Sequence, residues 1–215
     1  MLNPKQTRWK KSRKFGDVFG GRRYPKLADK VFNRAHSLSK PNFTEKLPIF
    51  LKDNPSKDMY FPVNFQEVSA ALSILPEPDT AGLTHVWLRR AKPGDFEKEL
   101  IPFAEYICGS GVYLIVLYPW PRNMLLPLPK KPTVAKLKRY QRWAPELIYS
   151  KNTWSLKWQP AAVKDFYLND LIPHEIAHHV DYQQRHWSKA NARRREEFAL
   201  QYANQRYFEG SKAVI

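Results

Sequence analysis

The sequence predicts an α+β protein with a small antiparallel or mixed sheet packed on helices. Two observations carry this: strand-like segments precede the long helical ones, and no obvious crossover helix joins the strands. Composition agrees. The chain has 215 residues, 43% apolar and 14% aromatic, enough for a hydrophobic core without covalent staples.

Residues 1–45 read as a basic arm, and 46–215 as the folded domain. Gly16, Gly20, Gly21, Pro25 and Pro41 punctuate the arm, whose apolar periodicity is weak. Leu27 to Leu38 has the length of a short helix. The run from Lys52 to Lys57 is a loop. Asn64 is suited to cap a helix carrying Val68, Ala71, Leu72 and Leu75 at i, i+3, i+4 and i+7, ended by Pro76 and Pro78. Leu83 to Leu88 and Gly111 to Tyr118 are rich in β-branched or aromatic residues and bounded by Gly or Pro, as strands are.

Pro119, Pro121, Pro127, Pro129 and Pro132 predict a long loop. Thr133 to Trp143 is a basic helical stretch. Leu147 to Tyr149 and Trp154 to Trp158 pair as a hairpin around Lys151-Asn152. Two helices close the chain, from Ala161 to about His186 and from Ala192 to about Phe208.

Charge and cysteine content narrow the function. Thirty-six Lys and Arg against twenty Asp and Glu give +16. The basic residues cluster in 1–30, 122–142 and 185–195. Such clusters form a solvated surface, or attract a polyanion such as nucleic acid. The single cysteine, Cys108, excludes an intrachain disulfide and a cysteine-based zinc finger or iron–sulfur cluster. No apolar run reaches membrane-span length, and the basic N-terminus lacks the apolar stretch of a secretory signal. The expectation is a soluble cytoplasmic protein.

The chemistry concentrates in His174-Glu175-Ile176-Ala177-His178, an H-E-x-x-H motif. Positions i and i+4 share a helix face, so both imidazoles reach one metal ion. Glu175 stands beside the pair, placed to act on a metal-bound water as a base. Zinc lowers the pKa of such a water toward ~7. Phe166, Leu168, Leu171, Ile172, Ile176 and Val180 supply the buried faces of this stretch. Pro173 either kinks the helix over 169–173 or belongs to the first turn of a helix beginning there.

Zinc needs a third protein ligand. Asp181 lies on the His174 face, but three ligands along one straight helix do not converge. Asp181 therefore reads as an acceptor for an imidazole N–H or as a surface acid. Asp170 has the same two readings. His179 points away and reads as packed or solvated. The third ligand falls on the following helix, at Glu196 or Glu197. Geometry favours Glu196, which shares a face with Ala199, Leu200, Ala203 and Tyr207, and the alanines allow close helix approach. Glu197 lies with Gln201 and Asn204 on a more solvated face.

An H-E-x-x-H motif followed by a Glu about eighteen residues on resembles the gluzincin zinc metallopeptidases. Glu196-Glu197-Phe198-Ala199 is similar to the E-x-F-A run on the ligand helix of several gluzincin families, lethal-factor-like peptidases among them. The run from Phe166 to Asp181 resembles an H-E-x-G-H-H-x-D active-site helix, with Ala177 where glycine is common. The resemblance is confined to roughly 110–210, and strictly to the last fifty residues.

It implies a zincin-like fold, zinc held by His174, His178 and Glu196, Glu175 as general base, and a peptide or protein substrate. It also implies a strand beside the cleft that pairs with the substrate backbone, for which Gly111 to Tyr118 is the candidate, its other reading being a buried central strand. An oxyanion-stabilising group would come from Tyr202, Tyr207 or His186. The basic balance is similar to that of DNA-associated SprT-type proteases, whose third ligand is usually a histidine, and His186 sits on the wrong stretch for that. The rival to a peptidase is a nucleic-acid-associated basic protein with a structural or non-catalytic metal site.

Overall fold

The computed structural model describes residues 38–91, 102–128, 130–150, 152–185, 187 and 190–212. Most of the basic arm, the Leu27 to Leu38 segment short of its last residue, and His186 lie outside the described residues.

The chain folds as α+β around a mixed four-stranded sheet. Strands β1 (Ile49–Lys52), β3 (His85–Leu88), β5 (Val112–Leu117) and β4 (Ala104–Gly109) lie side by side in the order β1-β3-β5-β4. The pairs β1–β3 and β3–β5 are parallel, and β4 returns antiparallel to β5. The parallel pairs require crossovers. The first carries α1 (Phe65–Ile74) and a single turn, α2 (Glu77–Thr80), so the expectation of strands without crossover helices is corrected.

Helix α1 starts where Asn64 places it. Its side chain accepts the Glu67 N–H at 2.9 Å, while the Glu67 carboxylate accepts the Asn64 N–H at 2.9 Å.

Strand β5 lies between β3 and β4 and is buried on both faces, which explains its unbroken apolar run. Ile115 and Leu117 face one core with Val86, Leu88, Tyr106 and Cys108, and that core holds the helices. Val112, Leu114 and Val116 face a second core with Trp87, Ile107 and Tyr118. The β4–β5 hairpin turns on Ser110 (φ 53°) and Gly111 (φ 79°), both left-handed, as a tight two-residue hairpin requires.

The proline-rich stretch is not one long loop. It holds β6 (Trp120–Pro121), paired with β2 (Met59–Tyr60), and β7 (Leu125–Leu128). Strand β7 tolerates Pro127 because it is the edge of a three-stranded sheet, β7-β9-β8. Strands β8 (Glu146–Ser150) and β9 (Thr153–Lys157) form the expected hairpin, with Asn152 at φ 61°. The basic stretch forms α3 (Val134–Tyr140) and a 3₁₀ turn, which bury Tyr140 and Trp143. These rings join Trp120, Trp158, Phe166 and Tyr167 in an aromatic cluster, with Trp143 and Phe166 centroids 4.8 Å apart in an edge-to-face pair.

The final helices position the site. Helix α4 (Pro160–Phe166) passes through one π-helical turn, Tyr167 to Leu171, into α5 (Ile172–Gln184). The Ile172 N–H bonds the Tyr167 carbonyl, five residues back. Pro173 therefore stands in the first turn of a new α-helical register, where its missing N–H is tolerated. Helix α6 (Ala192–Lys212) packs on α5 through Ala199 and Ala203, both buried. Among the described residues no helix is long and apolar enough to cross a membrane.

Candidate metal centre

The helical spacing puts His174 and His178 on one buried face of α5, with ring centroids 4.8 Å apart. The close α5–α6 approach brings Glu196 to both. Its Oε2 is 3.5 Å from His174 Nε2 and its Oε1 is 3.5 Å from His178 Nε2. The three ligand atoms lie within 4.8 Å of one another, and these residues could hold a metal ion. The two 3.5 Å approaches are made by different oxygens of Glu196, so the one carboxylate addresses both imidazoles.

The electrostatics fit as well. Burial, and secondarily the neighbouring His174, lower the His178 pKa to about 4, so its ring is neutral and a nitrogen lone pair is available near pH 7. The Glu196 carboxyl is lowered, chiefly by its hydrogen bond from His174, and stays ionised. Glu197 points elsewhere and pairs with Arg193 at 2.8 Å on the exposed side of α6.

Glu175 is buried beside the two histidines and lines the cleft. Desolvation raises its pKa to about 7; His174 opposes the shift, and Glu196 and Glu105 add to it. Its carboxyl accepts the backbone N–H of Tyr106, on β4.

That contact identifies the strand beside the site. The cleft, about 530 Å³, is bounded by Pro102 to Tyr106 on one side and by α5, α6, Arg139 and Tyr140 on the others. Strand β4 is an edge strand, with no described strand on its outer side. The Phe103 carbonyl bonds the Tyr118 N–H at 2.9 Å, so Phe103 faces β5, and alternation turns the Ala104 and Tyr106 backbones outward. Of the two readings of Gly111 to Tyr118, the central strand is the one observed, with both its edges paired. The edge strand had a signal in the sequence: Gly109-Ser110-Gly111 is a hairpin turn that demands a strand on each side.

Other expected residues go elsewhere. Asp181 is buried, is not bonded to either imidazole, and accepts from Arg185 at 2.9 Å and from Trp187 Nε1 at 2.8 Å. Both of its expected roles are corrected. No hydrogen-bond partner meets Nδ1 of His174 or His178. Asp170 is buried, 4.0 Å from Arg142, and is likewise neither a surface acid nor an imidazole partner. His179 is packed, its ring nitrogens 2.9 Å from the Tyr106 hydroxyl and the Ala81 carbonyl.

Tyr202 donates to Asp79 at 2.5 Å, and Tyr207 lies under the Arg142 guanidinium; neither lines the cleft. Trp187, Arg195, Arg139 and Tyr140 line it instead. Sequence reasoning missed these four because nothing in their spacing ties them to the motif.

In comparisons with known proteins, no family model, no curated protein and no solved structure matches the chain.

Proposed function

We propose that the protein is a zinc-dependent metallopeptidase of zincin-like fold and gluzincin ligand set. The observation that supports this most is the joint placement of His174, His178 and Glu196 around one point, with the buried Glu175 carboxyl beside them and bonded to β4, an edge strand among the described residues. Zinc held there would acidify a water and polarise a carbonyl.

The chain's own residues do the rest. An extended peptide lies along β4 and bonds the outward backbone of Ala104 and the Tyr106 carbonyl. Glu175, pushed to about 7, takes a proton from water in the cleft and returns it to the departing amine. The Tyr106 N–H holds that carboxyl at the scissile position. A basic protein with a purely structural metal has no use for a buried, proton-accepting carboxyl beside its ligands, which favours the peptidase over the nucleic-acid reading.

Metal analysis of the purified protein tests this. About one zinc per chain is expected, lost in His174→Ala and in His178→Ala. Full metal retention in both variants would overturn the assignment.

A further inference from the structure

We propose that the cleft selects substrates carrying a carboxylate next to the scissile bond, and that Arg195 binds it. The inference rests on the peptidase reading of the same cleft and adds its substrate class.

Arg195 lines the cleft one residue before Glu196. Its guanidinium carbon lies 4.2 Å from the centre of the Trp187 ring, a cation–π contact that holds the head group against the indole. Trp187 is itself held, because its Nε1 donates to the buried Asp181 at 2.8 Å. The series Asp181, Trp187, Arg195 therefore orients a cation before any ligand arrives. His178 and Trp187 have ring centroids 5.8 Å apart, so the cation stands at the His178 end of the site.

Among the described residues the carboxylate that the Arg195 charge acts on is Glu196, which also faces the two histidines. Among the described residues no carboxylate lies within ion-pair distance of Arg195, and its Nε is buried without a hydrogen-bond partner. Each carboxylate in the cleft is engaged elsewhere: Glu105 with the Tyr118 hydroxyl, Glu175 with the Tyr106 N–H, and Glu196 with the two histidines. A half-buried guanidinium held against an indole ring in the cleft wall is matched by a planar two-oxygen anion. On a peptide that anion is an acidic side chain or the chain-terminal carboxylate.

The test uses fluorescence anisotropy with full-length protein in chelator, so that binding is read without turnover. Three labelled hexapeptide pools serve as probes. One is C-terminally amidated with a fixed Glu, one is amidated with Gln at that position, and one carries the Gln with a free C-terminus. The Glu pool, the free-carboxylate pool or both should bind about tenfold more tightly than the amidated Gln pool. Which pool gains identifies the source of the carboxylate.

Arg195→Gln should remove the preference, and Arg195→Lys should keep part of it, with both melting as the wild type does. Arg139→Gln, on the α3 wall of the cleft, should leave the preference in place. Equal or absent binding of all three pools, a preference that survives Arg195→Gln, or one lost only in Arg139→Gln would overturn the proposal. Cleavage of the same pools by zinc-loaded protein separates the two readings. Cleavage without preference removes the carboxylate site and leaves the peptidase. Arg195-dependent preference without cleavage removes the peptidase and leaves an anion-binding cleft.

Discussion

Glu196 and Glu197 are adjacent carboxylates with opposite surroundings. One faces two imidazole nitrogens at 3.5 Å, and the other pairs with Arg193 at 2.8 Å. Glu196→Gln should therefore weaken zinc binding more than the 10–100-fold typical of losing an outer-shell partner, and Glu197→Gln should leave it nearly unchanged. Chelator competition measures both, and the reverse order would move the ligand role to Glu197.

Glu175 makes a second prediction, about stability. Its folded pKa is raised from 4.5 to about 7, so between those values the folded state holds the proton more tightly than the unfolded state. Its contribution therefore falls as pH rises through that window and stays unfavourable above it. His178, lowered from 6.5 to about 4, slopes the other way, its penalty growing as pH falls through that interval. Comparing Glu175→Gln with wild type in chelator isolates the carboxyl. The variant should gain up to roughly 3 kcal/mol at pH 8, and the gain should vanish below pH 4.5. Denaturant titrations at several pH values check it; a gain independent of pH would contradict the buried-carboxylate account.

The pairing of α5 with α6 sets the distance from Glu196 to the histidines. Ala199 and Ala203 are buried at that contact, whereas Leu200 is 38% exposed. Ala199→Leu should cost about 1–3 kcal/mol by overpacking and weaken zinc binding by displacing α6, while Leu200→Ala should do neither. Calorimetry and zinc titration of the two variants decide it. Unchanged zinc affinity in a destabilised Ala199→Leu would uncouple helix approach from the site.

Much of this helix geometry was legible in the sequence. A 3.6-residue period marks both faces of α5, and the alanine stripe marks the approach of α6. The π-helical turn was not legible, because the pattern gives no sign of one extra residue in a turn; Pro173 indicated only that something there must give. Strand β4 was missed because both its faces are buried apart from Glu105 and Tyr106-type packing is not alternating in polarity; only the Ser110-Gly111 turn announced it. Strand β7 was hidden by Pro127, which is admissible only because β7 is an edge, a fact of tertiary arrangement.

At the scale of the molecule, the fold brings four remote segments to one cleft: the β4 edge, the basic helix α3, the motif helix α5 and the ligand helix α6. The aromatic cluster around Phe166 joins α4 to the small sheet and to α3, and so fixes the wall that carries Arg139 and Tyr140. Local pattern placed His174, Glu175, His178 and Glu196 in the sequence. The strand edge and cations around them come from long-range topology, which local pattern does not encode. The central claim is that Glu175 moves the proton in a metal-dependent hydrolysis. The most direct measurement is a mass-spectrometric cleavage map of a mixed peptide library, and of the protein itself, with wild type and Glu175→Gln at equal zinc occupancy. Wild type should show chelator-sensitive cleavage, and the variant a rate lower by about 10²–10⁴ with zinc retained. Equal cleavage by the two zinc-loaded proteins, or none by wild type, would contradict it.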